Sequence, residues 1–199
     1  MAAHTQRRPA RFLRAGVLRS RQLERLGYNR PAIAAMVADG ELLRVARGVY
    51  ISVSHELTEK HSLAVACARV PEGVICLLSA LVVHGLTVQN PSVVWMAIAP
   101  AARKPAIHEP PLRIVRYSGA ALSHGVMTLR IEGVRVRVTS VAKTVADLFK
   151  YRNKIGIDVA VEALRETLRA GRASPAEILR AARVCRVSKV MRPYLETLL

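Results

Sequence analysis

The chain has 199 residues, 51% of them hydrophobic and 4% aromatic, with 31 basic against 14 acidic side chains and a formal net charge of +17. The hydrophobic content excludes a disordered chain, and so few aromatic rings disfavour a protein that stacks single-stranded bases. The positive charge, carried mostly by arginine, favours a polyanionic partner such as nucleic acid, although GC-rich coding also raises arginine content.

The cysteines and the apolar segments indicate where in the cell the protein is located. Cys67, Cys76 and Cys185 form neither a CxxC pair nor the spacing of a metal site, and an odd number of widely spaced cysteines suits a reducing environment. The basic N-terminus has no signal-peptide core, and the longest apolar run, residues 74–83, is shorter than the ~20 residues that span a bilayer. We therefore expect a cytoplasmic protein that does not enter a membrane.

The first 54 residues carry the densest positive charge. They contain ten arginines against Glu24, Asp39 and Glu41, a net charge of +7. Such a concentration argues against a purely compositional origin. Small polar residues at 52–55 mark the expected boundary between a DNA-binding domain, residues 1–54, and a second domain, residues 55–199.

Three helices are predicted at the start of the chain. The first covers residues 6–15. Ser20 is expected to cap a second helix over residues 21–26, which Gly27 ends in a left-handed conformation. Asn29 is expected to cap the third helix.

That third helix has Pro31 in its first turn and ends at Gly40. Residues 42–45 and 49–52 then read as two short strands joined by a tight turn at 46–48. Two short helices separated by a glycine-containing turn, followed by a hairpin, predict a winged helix-turn-helix.

In such a motif the second helix of the pair enters the major groove, while the hairpin reaches the minor groove or a flanking phosphate. The start of the helix and the hairpin tip should therefore contact DNA. The residues predicted to do so are Arg19, Ser20, Arg21, Tyr28, Asn29, Arg30, Arg44 and Arg47. Taken singly, each of them is also explained as a helix cap or a solvated surface residue.

The rest of the chain predicts a larger mixed domain. A helix is expected over residues 58–70, a short strand passing into a helix over 74–86, strands over 93–99 and 112–117, a hairpin over 126–139, and helices from Ser140 onward. Ser174 to Glu177 forms a capping box with proline at the first helical position. The predicted fold class is therefore α+β: a winged helix-turn-helix followed by a larger mixed α/β domain with a helical C-terminal tail.

No catalytic site, cofactor site or metal site is predicted. His84 ends an apolar run and is expected to be a packed histidine, and Asp147 is expected to pair with Lys143, Lys150 or Arg152. Cys76 is expected to be a small core residue. A salt-bridged helix surface is expected from Asp158, Glu162, Glu166, Arg165 and Arg169.

Three strings at 20–27, 30–40 and 42–50 resemble the N-terminal winged-helix domain of AbiEi-type antitoxins from bacterial type IV toxin–antitoxin (abortive infection) systems. The pattern G-x-L-x-x-V-x-R-G-V-Y, Gly40 to Tyr50, is the most specific. A looser resemblance continues through Ser79–Leu86 and Lys143–Arg152. The resemblance implies a repressor of its own operon that opposes a nucleotidyltransferase-like toxin, with direct contact between the two left open.

Two other functions remain open at this point. One is a DNA-processing enzyme with a nuclease-like second domain. The sequence argues against it, because a nuclease needs carboxylates clustered around a metal, whereas Glu132 and Asp147 are isolated in the sequence. The other is a module whose basic surface binds an acidic protein or RNA. Double-stranded operator DNA is the partner that charge and spacing favour.

Overall fold

The computed structural model describes residues 16–87 and 91–199. These residues form two compact units: one runs up to Arg69 and includes Arg130–Arg135, and the other comprises Val70–Leu129 and Val136–Leu199. The helix predicted over residues 6–15 lies outside the described residues. These units do not coincide with the two domains expected on either side of residue 54. The boundary at residue 54 stays a prediction about where the DNA-binding part of the chain ends.

The first unit is built on a three-stranded antiparallel sheet with the order β1-β3-β2. Its described elements are β1 (Val17–Arg19), α1 (Ser20–Arg25), α2 (Arg30–Ala38), β2 (Leu42–Ala46), β3 (Val49–Ser52) and α3 (His61–Arg69). The predicted helix pair and hairpin are therefore present, in the predicted order, and the winged helix-turn-helix is confirmed.

β1 is an element that the sequence did not predict. It has three residues, too few to show alternation between buried and exposed positions. Its pairing of Arg19 with Val49 holds Arg19 in an extended conformation, so Arg19 is the N-cap of α1. The prediction that Ser20 caps this helix was wrong by one residue, because Ser20 is already its first helical residue.

The two faces of this sheet bury different clusters. Toward α1 and α2, an apolar cluster forms from Leu18, Leu23, Ile33, Met36 and Leu42. The opposite face packs against α3 in a second cluster, Val17, Val49, Ile51, Ala64, Val65 and Ala68. The hairpin of β2 and β3, which we call the wing, is thus packed between two small apolar clusters, and these fix its position relative to α2.

The second unit contains the larger core. Its elements are β4 (Val74–Ile75), α4 (Leu77–His84), β5 (Val94–Ile98), β6 (Leu112–Arg116), α5 (Ala120–Ser123), β7 (Val126–Ile131), β8 (Val134–Thr139), α6 (Val141–Lys150), α7 (Arg152–Ile155), α8 (Ile157–Arg169), α9 (Pro175–Cys185) and α10 (Ser188–Glu196). The mixed sheet has the order β6-β5-β4-β8-β7. The residues at the turn between β7 and β8 belong to the first unit.

α6 is the central helix of the second unit. Every residue from Lys143 to Phe149 is buried, because α6 packs against α4, α8, α9 and α10. The predicted start of α9 is confirmed: Ser174 Oγ accepts from the Glu177 N–H, and the Glu177 carboxylate accepts from the Ser174 N–H at 2.8 Å. The α+β fold class is also confirmed. None of the helices in the described ranges combines the length and hydrophobicity that a bilayer crossing requires.

Candidate nucleic-acid interface

The start of α2 is fixed by a side-chain cap, as the sequence predicts. Asn29 Oδ1 accepts a hydrogen bond from the Ala32 N–H at 3.0 Å, and Pro31 occupies the first turn. The preceding Gly27 takes φ +91, which ends α1 and turns the chain toward α2. The helix buries Ile33 and Met36, and its remaining face is free to line a surface.

The wing is joined directly to the start of α1. β2 and β3 are connected through Arg47 and Gly48, and Gly48 has φ +71. The Ser20 N–H donates to the Gly48 carbonyl at 3.0 Å. A side chain at position 48 would also come within 3.2 Å of Ser20 Oγ. The hydrogen bond holds the backbone of the hairpin tip, beside Arg47, against the start of α1.

α1, α2 and the wing enclose an open depression of about 480 Å³. On α2, the lining residues are at positions 30, 33, 34 and 37, which share one side of a helix. The full set comprises Ser20, Glu24, Arg30, Ile33, Ala34, Val37, Arg44, Arg47, Gly48 and Tyr50. We call this depression the arginine groove.

Three arginines from three different elements meet in the arginine groove. Arg30 is the first residue of α2, Arg44 lies on β2 opposite Tyr50, and Arg47 is in the wing turn. All three are exposed, and none forms an ion pair with another described residue. Guanidinium groups free of acidic partners can fork onto phosphates or guanine edges.

The structure gathers four of the eight predicted DNA-binding residues in this groove: Ser20, Arg30, Arg44 and Arg47. The other four are Arg19, Arg21, Tyr28 and Asn29, which do not line it. Arg19 caps α1 and is half-buried, and Arg21 is exposed on α1. Tyr28 is half-buried against the Leu18 cluster, and Asn29 is the exposed cap of α2.

Sequence reasoning did not predict the other six lining residues, which are Glu24, Ile33, Ala34, Val37, Gly48 and Tyr50. Ala34 lies one helical turn after Arg30, so the spacing of four residues could have indicated it. Glu24 on α1 is the only acid among the described lining residues. Nothing in the sequence marked it, because its place depends on how α1 packs against α2.

The residues examined for catalysis have structural partners. His84 is buried, and its Nε2 donates to the Thr139 carbonyl at 2.6 Å, which confirms a packed histidine. Asp147 is buried beside Lys143, whose Nζ lies 2.6 Å from Asp147 Oδ1, so the predicted pairing is confirmed. Burial raises the pKa of the Asp147 carboxyl, and the Lys143 ammonium opposes this shift.

Glu132, the other acid considered for a nuclease, is also engaged. Its carboxylate accepts hydrogen bonds from the Thr58 N–H, the Thr58 hydroxyl and His61 Nδ1 at 2.9, 2.7 and 2.7 Å. Within the described ranges, no three His, Cys, Asp or Glu side chains are arranged to hold a metal ion. Glu132 belongs to the first unit and Asp147 to the second.

The remaining predictions on side chains agree with the structure. All three cysteines are buried and free, and burial raises the pKa of the Cys67 thiol to about 12. Cys76 is a fully buried core residue. On α8, Arg165 pairs with Glu162 at 2.8 Å and Arg169 with Glu166 at 2.7 Å, which confirms the predicted salt-bridged surface for these four residues, whereas Asp158 forms no ion pair with another described residue.

Residues 8–53 match the model of a family described as a transcriptional regulator, AbiEi antitoxin. This match confirms the resemblance that the helix pair and the wing carry to AbiEi antitoxins, a family of transcriptional regulators. The looser resemblance at residues 79–86 and 143–152 lies outside the matched residues and stays a prediction.

The fold also has a counterpart among solved structures. The crystal structure of the RV2827C protein from Mycobacterium tuberculosis superposes with a TM-score of 0.52, covering 91% of this chain and 76% of that chain. The two sequences are 14% identical, so the likeness shows a shared fold alone. No curated protein matches the chain in sequence.

Proposed function

We propose that this protein is a sequence-specific regulator that binds duplex operator DNA through the arginine groove. The observation that carries the proposal is the meeting of Arg30, Arg44 and Arg47 in one groove bordered by α2 and the wing. The helix would enter the major groove, which is about wide enough for one α-helix, and Arg47 would reach the minor groove or a flanking phosphate.

The side chains around these arginines support this mode of binding. Ala34 is small, so it allows the backbone of α2 to approach base edges closely, and Arg30 stands on the same stripe. Asn29 and Tyr28 precede the helix, where base contacts concentrate in helix-turn-helix proteins. Arg19 and Arg21 would hold the phosphate backbone beside α1, and Ser20 would add a hydroxyl contact.

We further propose that the protein is the antitoxin of a type IV pair and represses its own operon in the cytoplasm. The family match over residues 8–53 supports this role. The second unit would then oppose a nucleotidyltransferase-like toxin, by contact or through a shared target. Co-expression tests this: growth should be restored beside the toxin encoded by the neighbouring reading frame, and no rescue would contradict the antitoxin role.

The DNA-binding proposal is tested by removing two groove arginines together. Arg30→Ala with Arg47→Ala should abolish specific retention of operator duplex in a gel-shift assay, because both the helix and the wing lose their base or phosphate contact. Far-ultraviolet circular dichroism should remain that of the wild type, since both side chains are exposed.

A charge-matched control separates this effect from the loss of net charge. Arg180→Ala with Arg183→Ala removes two exposed arginines from α9 and should leave operator retention unchanged. Unaltered affinity in the groove variant would remove the assignment. Preferential binding of structured RNA across a salt series, or metal-dependent nicking of plasmid by the wild type, would favour the alternative functions instead.

A further inference from the structure

The turn between β7 and β8 presents two further arginines of the first unit, outside the arginine groove. β7 ends at Ile131 and β8 begins at Val134, so the turn has two residues, Glu132 and Gly133, both with positive φ. A two-residue turn makes Ile131 and Val134 the first cross-strand pair and places Arg130 opposite Arg135. We call residues 130–135 the arginine tip.

The two faces of the arginine tip differ in character. Ile131 and Val134 are half-buried and pack against the cluster that contains Val17 and Val49. Because side chains alternate along a strand, Arg130 and Arg135 belong to the opposite face, and both are exposed. Like charges directly opposite one another destabilise a hairpin, and neither arginine pairs with an acid among the described residues.

The arginine tip is held firmly on the winged helix. The Glu132 carbonyl accepts from the Val17 N–H at 2.8 Å, while its carboxylate binds Thr58 and His61. Gly16 makes this approach possible, because a Cβ at that position would lie 2.3 Å from the Glu132 carbonyl oxygen. The two arginines are therefore fixed within the same compact unit as the arginine groove.

The arginine tip and the wing pack against the same apolar cluster. Val45 and Ala46 of β2 pack on the same apolar cluster as Ile131 and Val134. Two hairpins with arginines near their turns thus share one cluster: the wing with Arg47, and the arginine tip with Arg130 and Arg135. A guanidinium pair with no acidic neighbour is suited to phosphate oxygens, which arginine binds in a forked geometry.

We propose that Arg130 and Arg135 form a second wing that binds backbone phosphates of the same duplex, beside the site read by α2 and Arg47. This inference rests on the proposed function. Phosphate contacts position a protein on DNA and carry no sequence information directly. The arginine tip therefore adds affinity and salt dependence, while the arginine groove determines which sequence is bound.

The test is a salt titration of duplex binding by the full chain and by Arg130→Gln with Arg135→Gln. Glutamine keeps polarity and much of the side-chain length but removes the charge. The logarithm of the association constant for duplex falls linearly with the logarithm of the salt concentration. The loss of two phosphate contacts should make this slope less steep by about two and weaken binding by roughly 10- to 30-fold at about 0.15 M salt. The preference among operator sequences should not change.

Arg180→Gln with Arg183→Gln provides the charge-matched control, and its slope should equal that of the wild type. An unchanged slope in the tip variant, or an equal fall in the control, overturns the second wing. If the groove variant still fails to bind in that case, the proposed function survives by itself. The inference is also overturned if the wild-type chain binds no duplex. It is overturned as well if substitution of Arg130 and Arg135 weakens the binding of an acidic protein and leaves duplex binding unchanged.

Discussion

Glu132 combines an unfavourable backbone conformation with a dense set of hydrogen bonds. It takes φ +47, which a side chain other than glycine rarely adopts, and its carboxylate is 1% exposed. Burial raises the pKa of this carboxyl, but the hydrogen bonds from His61 and Thr58 outweigh burial and hold the pKa below its ordinary value. The ionised form is therefore the one that the folded chain stabilises.

Replacing Glu132 with glutamine should lower the free energy of unfolding by about 2 kcal/mol at neutral pH, because hydrogen bonds to a charged acceptor are lost. The lowered pKa means that this contribution is present above the ordinary pKa of a glutamate and disappears as the pH falls through the folded value. Urea unfolding of both proteins from pH 7 down to about pH 3 measures it. The two curves should converge in acid, and a constant difference would contradict an ionised Glu132.

α2 shows how one element serves both folding and binding. Asn29 supplies its cap, Ile33 and Met36 supply its buried face, and Arg30 and Ala34 face the arginine groove. The cap is needed because the first amides of a helix have no partner inside it. Since the same amide side chain stands beside the proposed major-groove face, its two roles can be separated by substitution.

Asn29→Ala should lower the free energy of unfolding by about 1 kcal/mol, whereas Asn29→Ser should leave it nearly unchanged, because serine caps a helix as well. Both variants should lose affinity for operator duplex if the amide contacts a base. Chemical denaturation and gel-shift titration on the same preparations give the two quantities. Full affinity in Asn29→Ser would make Asn29 a cap and nothing more.

At the scale of the whole molecule, the two units bury charge in different ways. The first exposes Arg30, Arg44 and Arg47 and buries the Glu132 carboxylate among hydrogen-bond donors. The second buries an ion pair at the centre of its core: Lys143 and Asp147 are 0% and 1% exposed. Tyr117 stacks on the ammonium at 4.5 Å, and Cys185 Sγ donates to Asp147 Oδ1 at 3.2 Å. This arrangement depends on both charges being present.

Lys143→Met should therefore cost about 3–5 kcal/mol of the free energy of unfolding, because it leaves the Asp147 carboxylate buried without a cation. The double variant Lys143→Met with Asp147→Leu should recover much of that loss, since no charge remains to be desolvated. Thermal and urea unfolding of the three proteins give the comparison. Equal stability of the single variant and the wild type would show that the pair contributes nothing to the core.

Local patterns predicted most elements of the fold, because caps, turns and alternation act over a few residues. Asn29, Gly40 and the capping box at Ser174 lie where the sequence places them. The three-residue β1 and the four-residue α5 were missed, since neither is long enough to display a period. Ser20 was misassigned because the extended conformation of Arg19 comes from its pairing with β3, a distant segment.

The sequence by itself determined the winged helix-turn-helix, the excess of arginine within it and the family that residues 8–53 match. Only the tertiary structure decided which arginines meet. Arg30, Arg44 and Arg47 converge because two apolar clusters clamp the wing beside α2, and Arg130 joins the same unit because Glu132 reaches Val17, Thr58 and His61. The Glu132 contacts join segments more than seventy residues apart, and no local propensity encodes a contact of that range.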